Sequence, residues 1–300
     1  MNLNMNRWMA ALLAWVFALG IQAQEVEYTK EDSALVVKLL KDAQTERGEE
    51  NRVFYFAKEF VGTPYIKNAP KPTGQRSKLD SKEHLSVNLH EFDCTTFIET
   101  VVALALCDKQ KKRTFDDYCK NLIMVRYRNG IMTDYTSRLH YFIWWAEDNE
   151  RLGILKDICQ EDTIGGVFSA KLTVRINYMT AYSALYPLLR AQPEIAKTIK
   201  QYEDESNGKT IRYIPKKNLS WQQNSSLGII HDGDIIAMQT LKPGIDTGHL
   251  GIAFWQDGQL HFLHASSLYK KVLMSKETFY EYEMKQSNHM GIRVFRFNDN

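Results

Sequence analysis

The pattern of hydrophobic and polar positions predicts a strand followed at once by a helix in the first third of the chain. Residues 85–92 (LSVNLHEF) alternate apolar and polar side chains, as a half-buried β-strand does. In residues 95–106 the apolar side chains recur at helical spacing instead. Residues 32–60 interleave apolar and charged positions and also predict helix. Residues 62–83 carry three prolines and two glycines and predict a loop.

The second half of the chain changes character from helix-rich to strand-rich. Residues 116–200 have a mostly helical pattern, broken near residues 128–130 and 165–166. After residue 227, short β-rich runs appear, among them HLGIAFW from His249 and LHFLHAS from Leu260, and turn residues separate them. Helices followed by antiparallel strands indicate an α+β fold.

The first residues have the pattern of a secretory signal peptide. Arg7 precedes an apolar run, and small residues precede a polar segment, so residues 1–23 are predicted to be removed by cleavage after Ala23. The apolar run is too short to span a bilayer comfortably, and no later segment could cross one. We therefore expect an exported protein of the periplasm or cell envelope with no stable membrane anchor. Residues 24–300 contain no repeat or low-complexity linker and are predicted to form a single domain.

The charge of the chain limits its possible partners, and its cysteine content limits its possible disulfides. The chain has 38 Lys and Arg against 36 Asp and Glu, a formal charge of +2. This near-balance, with no basic stripe, argues against nucleic acid as a partner. The four cysteines fit an exported protein only loosely, because an odd number remains if Cys94 stays free. Cys107 and Cys119 could pair, and buried free thiols are an equally open interpretation.

Cys94 is the candidate nucleophile, and two histidines are placed to serve it. A thiol in the first helical turn lies near unpaired N–H groups and the positive end of the helix dipole, so we expect its thiolate to be favoured. A single cysteine is otherwise often a small buried hydrophobe. His249 shares a strand face with Gly251 and Ala253, whose small side chains would let the Cys94 helix approach. With His264 on the next strand, the three residues match a nucleophile, a base and an orienting group.

Several motifs resemble those of the NlpC-type, papain-like cell-wall hydrolases. Residues 92–97 (FDCTTF) are similar to the nucleophile motif of that family, and residues 248–252 (GHLGI) to its base motif. His264-Ala265 resembles the third catalytic position. Residues 62–65 (GTPY) resemble the segment that supplies an active-site tyrosine, and residues 233–236 (GDII) the strand that enters the sheet. These pieces occur in the order of the family.

The resemblance implies a papain-like core in which the nucleophile helix packs on an antiparallel sheet. Cys94 would attack an amide carbonyl, His249 would accept the thiol proton, and His264 would orient the imidazole of His249. The backbone N–H of Cys94, assisted by Tyr65, would stabilise the oxyanion. No metal or cofactor is required. The long separation between Cys94 and His249 implies a largely helical insertion at about residues 110–215.

Two departures from the common pattern refine the resemblance. Thr95-Thr96 stands where the family usually has Ser-Gly, and residues 67–69 (KNA) replace an aromatic-Gly-Gly segment. With the insertion, these features resemble the branch of N-acetylmuramoyl-L-alanine amidase-like proteins. This branch implies peptidoglycan fragments (muropeptides) as substrates, cut between N-acetylmuramic acid, or its 1,6-anhydro form, and L-alanine. The alternative within the superfamily is a γ-D-glutamyl-diamino acid endopeptidase.

Four further residues are candidates for substrate contacts, each with a structural alternative. Asp93 would either cap the helix or touch substrate. Thr95 lies beside the thiol, although a first-turn hydroxyl there is ordinary. Arg138 could pair with a peptide carboxylate, and Tyr141 could stack on a sugar ring. Aromatic side chains more often form core, so burial is the competing interpretation of Tyr141.

Two other classes of protein fit the same three residues. Cys94, His249 and His264 could bind zinc, although three ligands leave an open position and no short-range ligand pair is present. A catalytically silent wall-binding protein is the other class. Both alternatives remain open from the sequence alone.

Overall fold

The computed structural model of the protein describes residues 26–46, 48, 50–67, 81–160, 170–220 and 225–299. The segment predicted to be a signal peptide, residues 1–23, lies outside these ranges. The described residues form nine α-helices: α1 (Lys30–Thr45), α2 (Arg52–Lys58), α3 (Cys94–Lys109), α4 (Phe115–Arg126), α5 (Phe142–Arg151), α6 (Tyr178–Ala181), α7 (Pro187–Ala191), α8 (Pro193–Ser206) and α9 (Phe279–Lys285). They also form ten β-strands: β1 (Val26–Glu27), β2 (Leu85–Ser86), β3 (Leu155–Asp157), β4 (Ala170–Thr173), β5 (Thr210–Pro215), β6 (Ile235–Thr240), β7 (Thr247–Gln256), β8 (Gln259–Ser266), β9 (Lys271–Met274) and β10 (His289–Phe297).

An antiparallel sheet of eight strands organises the fold. Seven of its strands follow the order β4-β5-β10-β6-β7-β8-β9. The eighth strand, β3, pairs with the same edge of β10 as β5 does, but at the opposite end of that edge. The β-rich runs predicted after residue 227 are present as strands β6 to β10. Strands β6 to β9 pair with their sequence neighbours, because short turns return each strand beside the previous one. Helices with an antiparallel sheet give the mixed α and β class that the sequence predicts.

Helix α3 lies at the centre of the main hydrophobic core. All twelve residues from Thr96 to Cys107 are buried. Helices α1, α2 and α4 pack around α3, and strands β7 and β8 lie against it. A helix that is apolar on all sides is buried on all sides. The central position fixes the first turn of α3, where Cys94 begins the helix.

The two faces of β7 pack against different parts of the protein. Leu250, Ile252 and Phe254 share a core with α3, whereas Ala253 belongs to a second cluster on the opposite face. The prediction that α3 approaches the face with the small residues is therefore wrong. Gly251 makes room for β8 instead, because a Cβ there would lie 2.9 Å from Phe262 Cδ2.

The strand predicted at residues 85–92 is much shorter in the structure. Only Leu85–Ser86 form strand β2, which pairs in parallel with β1. The side chain of Asn88 then accepts hydrogen bonds from the N–H groups of His90 and Glu91, at 2.9 and 3.2 Å. This local turn competes with strand pairing and ends the extended segment.

The segment predicted as a largely helical insertion contains strands as well as helices. Helices α4 to α8 lie within residues 110–215, and so do β3, β4 and β5. All three strands join the sheet that carries the histidines. The segment thus extends the main sheet at one edge, and it also contributes residues to the candidate site described below.

The cysteines carry no disulfide. Cys107, Cys119 and Cys159 are buried free thiols, and Cys94 is partly exposed. Burial is therefore the correct one of the two alternatives for Cys107 and Cys119. Among the described residues, no helix combines the length and apolar character that a membrane crossing needs.

Candidate active site

Asp93 places the thiol of Cys94 by capping helix α3. Its carboxylate accepts hydrogen bonds from the N–H groups of Thr95 and Thr96, at 3.0 and 2.8 Å. In return, the Thr96 hydroxyl accepts from the Asp93 N–H at 3.1 Å, which completes a capping box. Of the two predicted roles of Asp93, the structure assigns the cap.

The environment of Cys94 favours the thiol over the thiolate. Burial raises the pKa of this thiol to about 12, and the nearby Asp93 carboxylate acts in the same direction. Hydrogen bonds from the Leu250 N–H and from Thr95 oppose the shift without cancelling it. This raised pKa runs against the prediction that the helix terminus favours thiolate, because loss of solvation is the largest cause of the shift.

His249 and His264 contact each other directly. Nε2 of His249 lies 2.7 Å from Nδ1 of His264, and the two rings meet edge to face at 81°. Burial lowers the pKa of His249 to about 4, with His289 adding to the effect, and burial lowers the pKa of His264 to about 2. Both imidazoles are therefore neutral at pH 7, and one proton lies between them.

The position of that proton decides what His249 can do. If Nε2 of His249 carries the proton and donates it to Nδ1 of His264, then Nδ1 of His249 keeps a lone pair. That lone pair can accept a proton from a thiol. The contact between the rings is thus compatible with the tautomer of His249 that a general base needs.

The thiol and the imidazole of His249 line the same cavity. Its volume is about 250 Å³, and Cys94, Thr95, His249 and Leu250 form one part of its wall. The ladder between β7 and β8 begins at the Ile252–Leu263 pair, so Leu250 lies beyond it. The Leu250 N–H is then available to the sulfur. The structure brings together the three residues that the sequence singles out: Cys94 and His249 on one cavity, with His264 behind His249.

Tyr65 lies close enough to Cys94 for the two groups to interact electrostatically, although it is not part of the cavity wall. Its backbone N–H donates to the Lys270 carbonyl at 2.9 Å, and its segment pairs with Phe92 just before the nucleophile. Burial raises the pKa of the Tyr65 hydroxyl, and the charges of Cys94 and Asp93 add to the increase. A neutral phenol close to Cys94 can donate a hydrogen bond, as the predicted oxyanion role requires.

Arg138 and Tyr141 have structural partners instead of free polar groups. The Arg138 guanidinium lies 4.0 Å from the buried carboxylate of Glu99, and it is absent from the cavity wall. Tyr141 does line the cavity, but its hydroxyl donates to Glu203 at 2.7 Å and accepts from the Met179 N–H at 2.8 Å. The burial interpretation of Tyr141 is therefore confirmed.

The cavity wall also contains residues that the sequence did not single out, and four of them carry polar groups close to the cavity. These residues are His140, Tyr178, Tyr186 and Thr247. Nε2 of His140 lies 2.8 Å from the Tyr135 carbonyl, so it carries the proton there, and burial lowers the pKa of His140 to about 3. This imidazole can therefore offer Nδ1 as a neutral acceptor. Tyr178 and Tyr186 come from the middle segment, whose sequence shows only helix-forming patterns.

The geometry of the three residues does not resemble a metal site. The described residues contain no group of three histidine, cysteine or acidic side chains arranged to hold a metal ion. Nε2 of His249 and Nδ1 of His264 face each other at hydrogen-bond distance, so each ring uses one of its two nitrogens for this contact. The donor set therefore suits acid–base chemistry.

Comparison with known proteins places the chain in a family. A family model described as AmiA-like, N-acetylmuramoyl-L-alanine amidase-like, matches residues 55–292. A solved N-acetylmuramoyl-L-alanine amidase from Bacteroides uniformis is 33% identical, with a TM-score of 0.73 over 82% of this chain and 98% of that one. A structure from Bacteroides fragilis, whose name proposes a xylanase, is 36% identical, with a TM-score of 0.71 over 81% of this chain and 100% of that one.

A more distant structure shares the fold alone. A protein from Legionella pneumophila is 23% identical, with a TM-score of 0.67 over 89% of this chain and 95% of that one. The comparison with curated proteins found no match. The match to the family model covers most of the chain, including Cys94, His249 and His264. The chain therefore belongs to the AmiA-like family of N-acetylmuramoyl-L-alanine amidase-like proteins.

Proposed function

We propose that the protein is a cysteine-dependent N-acetylmuramoyl-L-alanine amidase. It hydrolyses the amide that joins N-acetylmuramic acid, including the 1,6-anhydro form, to the L-alanine of muropeptides. The observation that carries this proposal is the cavity that Cys94 and His249 line together, with His264 bonded to the far side of His249. Membership of the amidase-like family supports a substrate of the peptidoglycan type.

The reaction begins with both catalytic groups uncharged. As the sulfur of Cys94 attacks the amide carbonyl carbon, Nδ1 of His249 takes the thiol proton. The imidazolium that forms still donates its Nε2 proton to His264, which stabilises the charge and fixes the ring. Proton transfer during attack suits this site because burial disfavours a free thiolate before substrate arrives.

The intermediate then collapses, and the proton moves on. The carbonyl oxygen gains negative charge, and the N–H of Cys94 with the hydroxyl of Tyr65 stabilises it. The C–N bond breaks as His249 gives its proton to the departing amine of L-alanine. Water next attacks the thioester, loses a proton to His249, and releases the muramic carboxylate with the thiol restored.

The papain-like architecture and the export of the protein are parts of the same proposal. A nucleophile at the start of a buried helix, facing an antiparallel sheet with the base, supports a papain-like core. The pattern of residues 1–23 supports removal of a signal peptide and action in the periplasm or cell envelope, where peptidoglycan lies.

Xylan hydrolysis is a weaker candidate for this site. Glycosidases of the usual kind place two carboxylic acids around the scissile bond. Of the residues that line the cavity, only Asp246 has a carboxylate, and that group accepts from the Ile143 N–H at 2.7 Å and from the Thr247 hydroxyl at 3.2 Å. The Asp93 carboxylate is engaged in the helix cap.

Product analysis by mass spectrometry tests the proposal. The protein is incubated with purified muropeptides, and we expect release of the whole peptide from the sugar. A dipeptide that stays on the sugar would instead support the γ-D-glutamyl-diamino acid endopeptidase. The control is Cys94→Ala, which should lower turnover by at least ~10⁴-fold. Full activity of that variant, or stoichiometric zinc whose removal abolishes activity, would rule out the cysteine mechanism.

A further inference from the structure

A large groove lies beside the catalytic cavity. Its volume is about 750 Å³, and Ile245 and Asp246 line both spaces. Strands β4 and β5, the β6–β7 turn and the start of β10 surround it. Apolar side chains form much of its wall: Leu172, Val174, Ile176, Ile211 and Met290. The groove therefore offers space next to a substrate bound at Cys94.

Two cations line this groove, Arg175 and Lys242. Both side chains are exposed, and neither pairs with a carboxylate among the described residues. Nζ of Lys242 lies 4.8 Å from the centre of the Tyr178 ring, and Tyr178 is part of the catalytic cavity wall. Lys242 thus marks the junction of the two spaces. The one carboxylate in the lining, Asp246, is buried and hydrogen-bonded within the protein.

We propose that this groove binds the peptide part of the substrate and that Arg175 and Lys242 contact its carboxylates. This inference rests on the proposed function, because it supplies the site for the acidic peptide that the amidase would release. Exposed cations in a groove with apolar walls suit an anionic ligand with an uncharged backbone. Arg138, the arginine that the sequence favours for this role, is already paired with Glu99.

Another basic cavity lies near the catalytic centre but connects less well. Its volume is about 470 Å³, and Lys271 and Lys276 line it together with His264 and Tyr282. It shares no lining residue with the cavity of Cys94 and His249. The lining residues Ile245 and Asp246, which the larger groove shares with the cavity of Cys94 and His249, favour the larger groove.

Binding of a free peptide tests the inference without catalysis. The probe is the tripeptide L-alanyl-γ-D-glutamyl-diaminopimelate, titrated calorimetrically into the full-length protein with Cys94→Ala. We expect Arg175→Gln and Lys242→Gln each to weaken binding about fivefold, and the double variant to weaken it more. Lys242→Arg should restore binding. Added salt should weaken binding to the parent protein and should matter less in the double variant.

Matched controls locate the site. Lys271→Gln with Lys276→Gln removes the same charge from the other cavity and should leave the dissociation constant unchanged. A tripeptide whose carboxyl groups are amidated should bind the parent protein and the double variant equally. The inference is overturned if the Arg175 and Lys242 variants bind like the parent, or if the Lys271 and Lys276 variant carries the loss.

Turnover of two substrates separates this inference from the proposed function. With an anionic muropeptide, the double variant with Cys94 intact should have a raised KM and an unchanged kcat, whereas an amidated muropeptide should be cut as before. If amidase activity does not depend on Arg175 or Lys242, the inference is wrong and the proposed function is unaffected. Peptide binding that depends on both cations in a protein without amidase activity would do the reverse.

Discussion

The two sides of the candidate site are built by different means. The contacts that hold the thiol are local, since Asp93 reaches residues only two and three positions along the chain. The imidazole side depends on tertiary structure, since His249 and His264 meet only when β7 and β8 pair. Gly251 is part of that side, because any larger residue would press on Phe262.

This difference separates placement of the nucleophile from its activation. A helix cap can aim a thiol, but here burial still holds the pKa of Cys94 at about 12. The proton must therefore move to a base that another part of the chain supplies. In the proposed mechanism, the cap positions the Cys94 thiol, and the strand pair supplies the base that would accept its proton.

The largest expected effect comes from a substitution on the imidazole side of the site. His264→Ala removes the acceptor that holds His249 in its useful tautomer, so we expect kcat to fall by ~10³-fold. His264→Asn keeps a side-chain oxygen that can accept from Nε2 of His249, and it should recover much of the loss. The measurement is the rate of muropeptide hydrolysis at saturating substrate.

A control for that variant lies on the same strand. His261 occupies the other face of β8, where its Nδ1 lies 3.2 Å from the Ser275 carbonyl. His261→Ala also removes a buried imidazole, so it reports any general cost to the strand. If both alanine variants lose kcat equally, His264 supports only the fold.

The sequence predicts the thiol side better than the imidazole side because its signals are local. The apolar spacing identifies α3, and an Asp before a helix is a common cap. It also places His249 and His264 on neighbouring strands, but it misjudges which face of β7 meets α3. Packing on a sheet face depends on distant elements, and the spacing of small residues along one strand carries no information about them.

The middle of the chain was harder to predict for a related reason. Strands β3 and β5 are short and pair with β10, which lies far away in sequence. Tyr178 and Tyr186 reach the cavity through the same long-range arrangement. In residues 85–92 a local contact overrides the prediction instead. The alternating pattern predicts a strand, but the turn that the Asn88 side chain forms ends it.

The second test compares the protonation states of Cys94 and His249. With the pKa of Cys94 raised to about 12, the thiolate fraction grows about tenfold for each pH unit below that value. Alkylation of Cys94 by iodoacetamide should therefore accelerate ~100-fold between pH 7 and pH 9. Over the same range kcat/KM should stay level, because His249, with its pKa lowered to about 4, is already neutral.

A resting thiolate–imidazolium pair would behave differently. Its alkylation rate would level off near neutral pH, and its activity would decline as the imidazolium loses its proton. Either result would contradict the uncharged resting state. The Cys94→Ala protein supplies the background, because the other three cysteines are buried and should label slowly.

The smallest expected effect belongs to the cap on the thiol side. Asp93→Ala leaves the N–H groups of Thr95 and Thr96 without their acceptor, so the free energy of unfolding should fall by about 1 kcal/mol. Asp93→Asn keeps an acceptor oxygen, so its free energy of unfolding should fall by much less. Urea denaturation measures both changes. Because α3 is held on all sides by other contacts, both variants should still bind substrate with the KM of the parent. A raised KM for Asp93→Asn at unchanged stability would instead mean that the carboxylate touches substrate, and the cap would then be only part of its role.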